Sequence, residues 1–372
     1  MESDIKVALA HDWLNGMRGG EKCLEAFCEL FPDSPIYTLF YEKGKVSDTI
    51  ARRSIATSWM QGAPNVFSHY RYYLPFFPKA MEAFRLDGFD LVISTSHCAA
   101  KGISKKNGAL HICYCFTPMR YAWVFFDEYF GKKNGLARGG IKFFIGKLKE
   151  WDLKTNQGID HFVAISDHVR KRIRQFYQRD ADVVYPPVDT DFYTPTSNAK
   201  AEDFYLIVSA MVPYKKIELA VEAFNDLGKQ LVVIGDGPER KRLEKMAGKN
   251  IKFLGWQADE ILRNYYRSAR ALIFPGEEDF GIVPVEVQAC GRFVIAFGRG
   301  GALETVKEGE TGIFFEKQTA AGLKEAVRRF ETMNLDPKDA RRNAERFGGE
   351  RFKREINELI RHWMAKKDLR KQ

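Results

Sequence analysis

The chain has 372 residues, 45% of them hydrophobic, and a formal net charge of +9. That length points to two domains rather than one, and no apolar run reaches the roughly 18–20 residues that cross a bilayer. The positive balance favours an anionic partner: nucleic acid, acidic lipid or a phosphorylated ligand.

The opening MESDIKVALAHDW breaks its apolar stretch with Asp4 and Lys6, which argues against a secretory signal. Six cysteines without paired spacing read as a reduced, cytosolic protein. Cys113 and Cys115 share one face of a strand but lack nearby partners for a metal, so they read as buried thiols.

The first predicted strand, Lys6–Ala10, runs into HDWLNGMRGGEK and a helix whose stripe is Leu24, Phe27, Cys28 and Phe31. Gly19 and Gly20 would let the backbone approach a ligand at that helix start, although a plain turn explains them equally. Residues 68–84, SHYRYYLPFFPKAMEAF, mix aromatics with bases. Strand Leu91–Ser94 precedes His97, a candidate for donor or acceptor contact set against an ordinary structural histidine. Strands follow at His111–Cys115 and Phe162–Ile165. Between them, Lys132, Lys133, Arg138, Lys142, Lys147 and Lys149 surround Phe143 and Phe144. Such a mixture suits an anionic bilayer surface, or a core helix with one solvated face. Nucleic acid is the weaker partner, because no binding module for it is present.

Pro186, Pro187, Pro195, Ser197 and Asn198 mark a linker. The expected division is an N-terminal domain 1–190, a C-terminal domain 191–346, and a basic, aromatic helix 347–372 packing back on the first. Strand Phe204–Val208 leads to MVPYKKIELAVEAF, a helix with its stripe at Ile217, Ala220, Val221 and Phe224. Lys215 and Lys216 oppose the dipole at its start, a mismatch of roughly 0.3–1 kcal/mol that a bound phosphate would turn into attraction. Strand Leu231–Ile234 ends at Gly235, Asp236 and Gly237, a turn that would approach a nucleoside or simply lie on the surface. After strands Ile251–Phe253 and Ala271–Phe274 comes EEDFGIVPVE, with Phe293–Ala296 beyond it. Pro284 suits a first helical turn and Gly291 an end, so N–H groups around Gly281–Val283 would hold an anion. Glu278 falls just before that point, and Glu286 is expected in the first turn. Ionised carboxylates there would accept hydrogen bonds from sugar hydroxyls; acidic residues drawn by the helix dipole are the plainer alternative.

Strands alternating with helices imply an α/β protein with parallel sheets covered on both faces and ligands beyond the strands' carboxyl ends. Several anion turns together describe a cleft for a nucleoside diphosphate. EEDFGIVPVE, HDWLNGMRGGEK, VPYKKIELAVEAFN, IGDGPE, FLGW, the Gly300-Gly301 loop and YPPVDTDFY together resemble family 4 of the retaining glycosyltransferases. MRGGEK and CYCFTPMRYAW are most similar to bacterial enzymes of O-antigen or exopolysaccharide synthesis, often mannosyltransferases using GDP-mannose.

That resemblance implies the GT-B fold, two Rossmann-like domains with parallel sheets facing an interdomain cleft. It implies that Glu278 holds donor hydroxyls, that Phe280 and Gly281 offer backbone groups, and that Glu286 takes the ribose. Lys215, aided by Lys216 and by N–H groups of Ile282, Val283 and Gly19, would neutralise the leaving diphosphate, with Asp236 and Trp256 near the base or ribose. Glu278, Lys215 and His97 are the implied catalytic set. No cofactor or metal is implied; Asp189-Thr190-Asp191 lies in the linker and reads as structural. The acceptor would be a polyprenyl-pyrophosphate-linked or other glycan, met by a cytoplasmic enzyme peripheral on the inner face of the membrane. Two positions depart from the pattern: Ala210 stands where the family has arginine, and Phe116 where it often has histidine. The rival readings are a nucleotide-sugar epimerase and a non-catalytic sugar-nucleotide-binding subunit of an assembly complex.

Overall fold

Five consecutive residues, Val7–His11, form a strand buried on both faces, as a central strand of a parallel sheet requires. In the computed structural model this strand, β1, pairs in parallel with β2 (Ile36–Thr38) and with β4 (Leu91–Ser96). The described residues are 5–105, 108–123, 136–196 and 201–369. Asp4, Lys132, Lys133, Ser197 and Asn198, and the side chain of Arg138, lie outside the description.

Contacts divide the chain into two units, one made of Met1–Pro187 with Phe352–Gln372, the other of Val188–Arg351. In the first unit β3 (Ile55–Thr57), β5 (Leu110–Cys115), β6 (His161–Ala164) and β7 (Ala181–Val183) complete a seven-stranded sheet ordered β3-β2-β1-β4-β5-β6-β7. Ala8, Ala10 and Val92 face a core of Trp13, Leu39, Phe40 and Phe77. Tyr114 points into an aromatic cluster with Phe27 and Phe352, each ring 5.4–5.6 Å from the next. Phe352 belongs to the helix Gly349–Leu369, so the far end of the chain completes this core.

The second unit holds β8 (Phe204–Val208), β9 (Gln230–Ile234), β10 (Ile251–Gly255), β11 (Ala271–Phe274), β12 (Phe293–Phe297) and β13 (Gly312–Phe315), ordered β10-β9-β8-β11-β12-β13 and parallel throughout. Tyr205, Ile207, Leu231, Val233 and Ile273 alternate onto one face and pack on Ala220, Phe224, Val327 and Phe330. These come from the predicted helix Ile217–Leu227 and from Ala320–Glu331. The other face is covered too, since Leu206, Leu272, Val294 and Ala296 are equally buried.

Four strands lie outside the sequence reading: β2, β3, β7 and β13. The first three have only three residues each and no room for a period, while the run GIFF of β13 follows a turn with no helix signal before it.

Candidate functional site

Each sheet reverses its strand order once, between β1 and β4 in the first unit and between β8 and β11 in the second. Loops leaving such a pair of carboxyl ends diverge to opposite faces and leave a crevice. The residues singled out above sit on or beside these loops.

In the second unit, β8 leads to a tight turn, Pro213–Lys215, and Lys216 then adopts φ +54° as the N-cap of the helix Ile217–Leu227. β11 leads through Pro275–Gly281 to the helix Ile282–Ala289. Gly281, at φ +97°, is the N-cap and brings no side-chain cap, so N–H groups of the first turn are left to an external acceptor. The loop is held from both sides. A Cβ on Gly276 would stand 3.0 Å from Lys215 Cα, so the two loops touch backbone to backbone. On the other side the Gly301 N–H donates to the Glu278 carbonyl at 2.8 Å, and any side chain at 301 would overlap Phe280. Between these supports the Lys215 ammonium pairs with the Glu278 carboxylate, both partly buried.

The structure moves Glu286. It was expected in the first helical turn, but the helix begins at Ile282, two residues before Pro284, and the first turn contains no acid. Proline is tolerated as the third residue because N–H groups there have no intrahelical partner. Glu286 is therefore in the second turn and only 5% exposed. The buried Tyr266 hydroxyl donates to it at 2.8 Å, and burial together with that carboxylate pushes the phenol well above its ordinary pKa.

Gly235 and Gly237 owe their identity to backbone packing. At φ +124° and +157° they lie against the Ser209 and Met211 backbones, and Met211 donates to the Asp236 carbonyl at 2.9 Å. The Asp236 carboxylate accepts from the Gly237 N–H at 2.7 Å and lies 3.5 Å from Arg240. Gly235 donates to the carbonyl of Gly255, which sets Trp256 on the neighbouring loop, 77% exposed. Ala210 is exposed beside them.

In the first unit Gly19 and Gly20 open the helix Gly19–Leu30 behind Arg18, whose backbone N–H donates to the Glu21 carboxylate at 3.1 Å. A Cβ at Gly20 would reach the His11 and Phe116 rings at 3.5 Å. Phe116 in turn lies 6.3 Å, centroid to centroid, from His97, whose ring also meets Trp13 edge-on at 4.7 Å. The structure thus gathers Gly20, Phe116 and His97 at one crevice.

The sequence reading did not single out Asp12. Its fully buried carboxylate accepts from the His97 N–H at 2.7 Å, Cys98 at 3.0 Å, and Ala99 and Ala100 at 2.6 Å each, and stands 2.9 Å from His97 Nδ1. Burial opposes its ionisation, but the His97 ring and backbone outweigh that and hold the pKa at about 2. This pairing fixes His97 Nδ1 inward and leaves Nε2 as the ring's other polar atom. The signal was present as an acid placed directly after an all-buried strand, where it has little water to solvate it. His11 is buried too, 2.7 Å from Thr95 Oγ1, with burial lowering its pKa to about 4.

Asp189 in the linker accepts from the Phe192 N–H at 2.9 Å, and the Thr190 carbonyl accepts from Arg341 at 2.8 Å. Within residues 68–84, Leu74, Phe77, Ala80 and Met81 are core, while Tyr72 and Phe76 are exposed, Phe76 touching the exposed Trp59. Phe143 is exposed as well. Among the described residues no helix is long and apolar enough to cross a membrane.

Residues 190–347 match the family of glycosyl transferases group 1. The group 1 segment coincides with most of the second unit and contains its Lys215–Glu278 pair. An uncharacterized glycosyltransferase of Methanocaldococcus jannaschii is 30% identical over 173 residues, 45% of this chain and 48% of the relative. A GDP-mannose-dependent alpha-(1-6)-phosphatidylinositol monomannoside mannosyltransferase of Mycobacterium tuberculosis is 28% identical over 204 residues, 47% and 53% of the two chains. The chain spans about half the length of these curated relatives. Solved structures match far more of it. HepE of Anabaena, crystallised with UDP and glucose, superposes with a TM-score of 0.71 over 96% of this chain and 99% of its own, at 16% identity. Sucrose-phosphate synthase of Thermosynechococcus elongatus gives 0.71 over 97% and 100%, at 18%. Identities this low carry the fold alone: two parallel sheets with helices, the GT-B fold.

Proposed function

We propose that the protein is a retaining hexosyltransferase, taking mannose from GDP-mannose and passing it to a glycan or lipid-linked glycan of cell-surface polysaccharide synthesis. The observation that carries this reading is the Lys215–Glu278 pair at the β8/β11 reversal, next to a helix start that brings no cap of its own. Donor binding places a diphosphate between Lys215 and the N–H groups of Ile282 and Val283. Lys215 then exchanges its carboxylate partner for the phosphate, which frees Glu278 for hydroxyls of the hexose. As the anomeric C–O bond breaks, negative charge grows on the leaving diphosphate, and the lysine and helix start stabilise it there. The acceptor attacks from the leaving-group side, and the departing phosphate takes its proton. Glu286, steadied by Tyr266, receives the ribose. His97, steadied by Asp12, serves the sugar or acceptor. The mannosyl donor is supported by the mannosyltransferase relative, and sugar-nucleotide binding by the group 1 match.

Metal is not required in this scheme, so chelation with EDTA should leave transfer unchanged. The exposed rings of Trp59, Tyr72 and Phe76 would rest on the inner membrane surface, where a polyprenyl-linked acceptor is found. A thermal-shift panel of GDP-, UDP- and ADP-sugars tests the donor, because selective binding raises stability by mass action. GDP-mannose should give the largest shift; none with any GDP-sugar rejects it. Radiolabelled donor, supplied with and without lipid acceptor, separates transfer from epimerisation and from binding without turnover.

A further inference from the structure

A cavity lies at the other end of the first sheet from His97 and Phe116, at the amino ends of β5 and β6. It measures about 880 Å³ and is walled by Lys101–Lys105, the end of the helix Leu136–Thr155, the turn before His161, and Trp363, Lys366 and Lys367 of the last helix. That volume lies within the range of roughly 300–1,000 Å³ typical of small-molecule sites.

Its lining carries five lysines against two carboxylates, Glu82 and Asp160. Both acids are already engaged. Asp160 pairs with Lys105 and accepts from the His111 N–H at 2.7 Å, while Glu82 accepts from the Trp151 indole at 2.6 Å. Lys101 is engaged as well, 3.0 Å from buried Asp152 and donating to Thr155 and Asn156. Two ammonium groups, those of Lys154 and Lys366, remain to face the cavity beside Lys367. Lys154 and Lys366 form no ion pair among the described residues, and Lys367 reaches the Asp90 carbonyl at 3.4 Å. Lys366 is held over the Trp363 ring at 4.5 Å, and that ring is stacked on His161, so its position is set before anything binds. Like charges gathered on low-dielectric walls raise the local positive potential until an anion relieves it. Glycines 108 and 158 in the lining stand in open space, where a Cβ would meet nothing within 4 Å, whereas Gly102 is packed under the Trp151 ring.

From these observations we infer that this cavity is a second binding site, for a small molecule or headgroup carrying at least two phosphate groups, separate from the site proposed for the sugar nucleotide. Lysine is a compact point charge suited to phosphate, and a lining of five lysines against two carboxylates matches a ligand of several charges better than a single carboxylate.

The test titrates inorganic triphosphate by calorimetry at low ionic strength into full-length protein carrying Lys215→Ala, which removes the proposed donor lysine. Saturable binding is expected, weakened about tenfold or more by adding Lys154→Glu and Lys366→Glu. If those reversals lower the thermal midpoint, the Lys154→Gln, Lys366→Gln pair replaces them. Phosphatidylcholine vesicles with and without a phosphoinositide distinguish the sources. Charge-dependent co-sedimentation assigns the site to a lipid headgroup; binding of triphosphate alone assigns it to a soluble ligand. Absence of saturable binding in the Lys215→Ala protein, or affinity untouched by either lysine pair, overturns the inference. Neither outcome bears on the donor reading, which the sugar-nucleotide panel tests on protein with Lys215 intact.

Discussion

Asp12 keeps its charge where no water reaches it because four backbone N–H groups and one imidazole converge on it. Asp12→Ala strands those donors at about 1–3 kcal/mol for each that finds no other acceptor. The expected result is a large drop in the urea midpoint; a loss below about 1 kcal/mol would mean that the loop finds other acceptors. Asp12→Asn is milder and changes chemistry more than fold: without the charge His97 loses its anchor, so the pH profile of transfer should shift while the midpoint moves less. In the proposed mechanism Lys215→Ala should lower kcat by roughly 10²–10³, because the contact it would make with the diphosphate strengthens as charge develops. Glu286→Ala should instead weaken donor binding. Steady-state kinetics separate these outcomes, and a Lys215→Ala enzyme of normal kcat would remove that residue from the mechanism.

The loop 276–281 has the form it has because glycines touch it from outside its own sequence. Gly301 leaves no room for a β-carbon against Phe280, and its N–H holds the Glu278 carbonyl. Gly301→Ala should therefore displace Glu278, seen as lost donor binding with a modest fall in melting temperature. Wild-type donor affinity in that variant would show that the loop tolerates the shift. This dependence explains what was legible beforehand. The periodic helices and the longer strands declare themselves locally, as do Lys215, through a cation that opposes a helix dipole, and Glu278, through its place just before a helix start. The helix start at Ile282 did not, since Pro284 suited several positions in the first turn and the deciding event was the positive φ of Gly281. Asp12 was hidden because its partners follow the next strand in the sheet, 85 to 88 positions along the chain. Strands of three residues were hidden because sheet pairing, not their own pattern, makes them strands.

The two units should answer acid differently. His11 and His111 are buried neutral in the first, with burial lowering their pKa from an ordinary 6.5 to about 4 and about 3. The second unit has no histidine at all between Val188 and Arg351. A depressed histidine pKa means that the unfolded chain binds protons first, so stability is full above pH 6.5 and declines as pH falls towards 4. His11 alone accounts for roughly 3 kcal/mol at the low end. Asp12 acts lower on the scale: its stabilising charge is present above its ordinary 3.8 and fades as pH approaches 2. Thermal melts between pH 7 and pH 4 should show two transitions drawing apart, the first unit leading. A single transition insensitive to pH would contradict this.

Phe352 closes the aromatic cluster of Phe27 and Tyr114, yet it is translated after the whole of Val188–Arg351. The first unit is therefore discontinuous in the gene's order of reading. Its sheet leaves the ribosome early and waits, one apolar face incomplete, while a contiguous unit is made and folds ahead of it. Arrested nascent chains ending at Arg351 should expose that gap to a protease or a holdase, and chains extended past Trp363 should not.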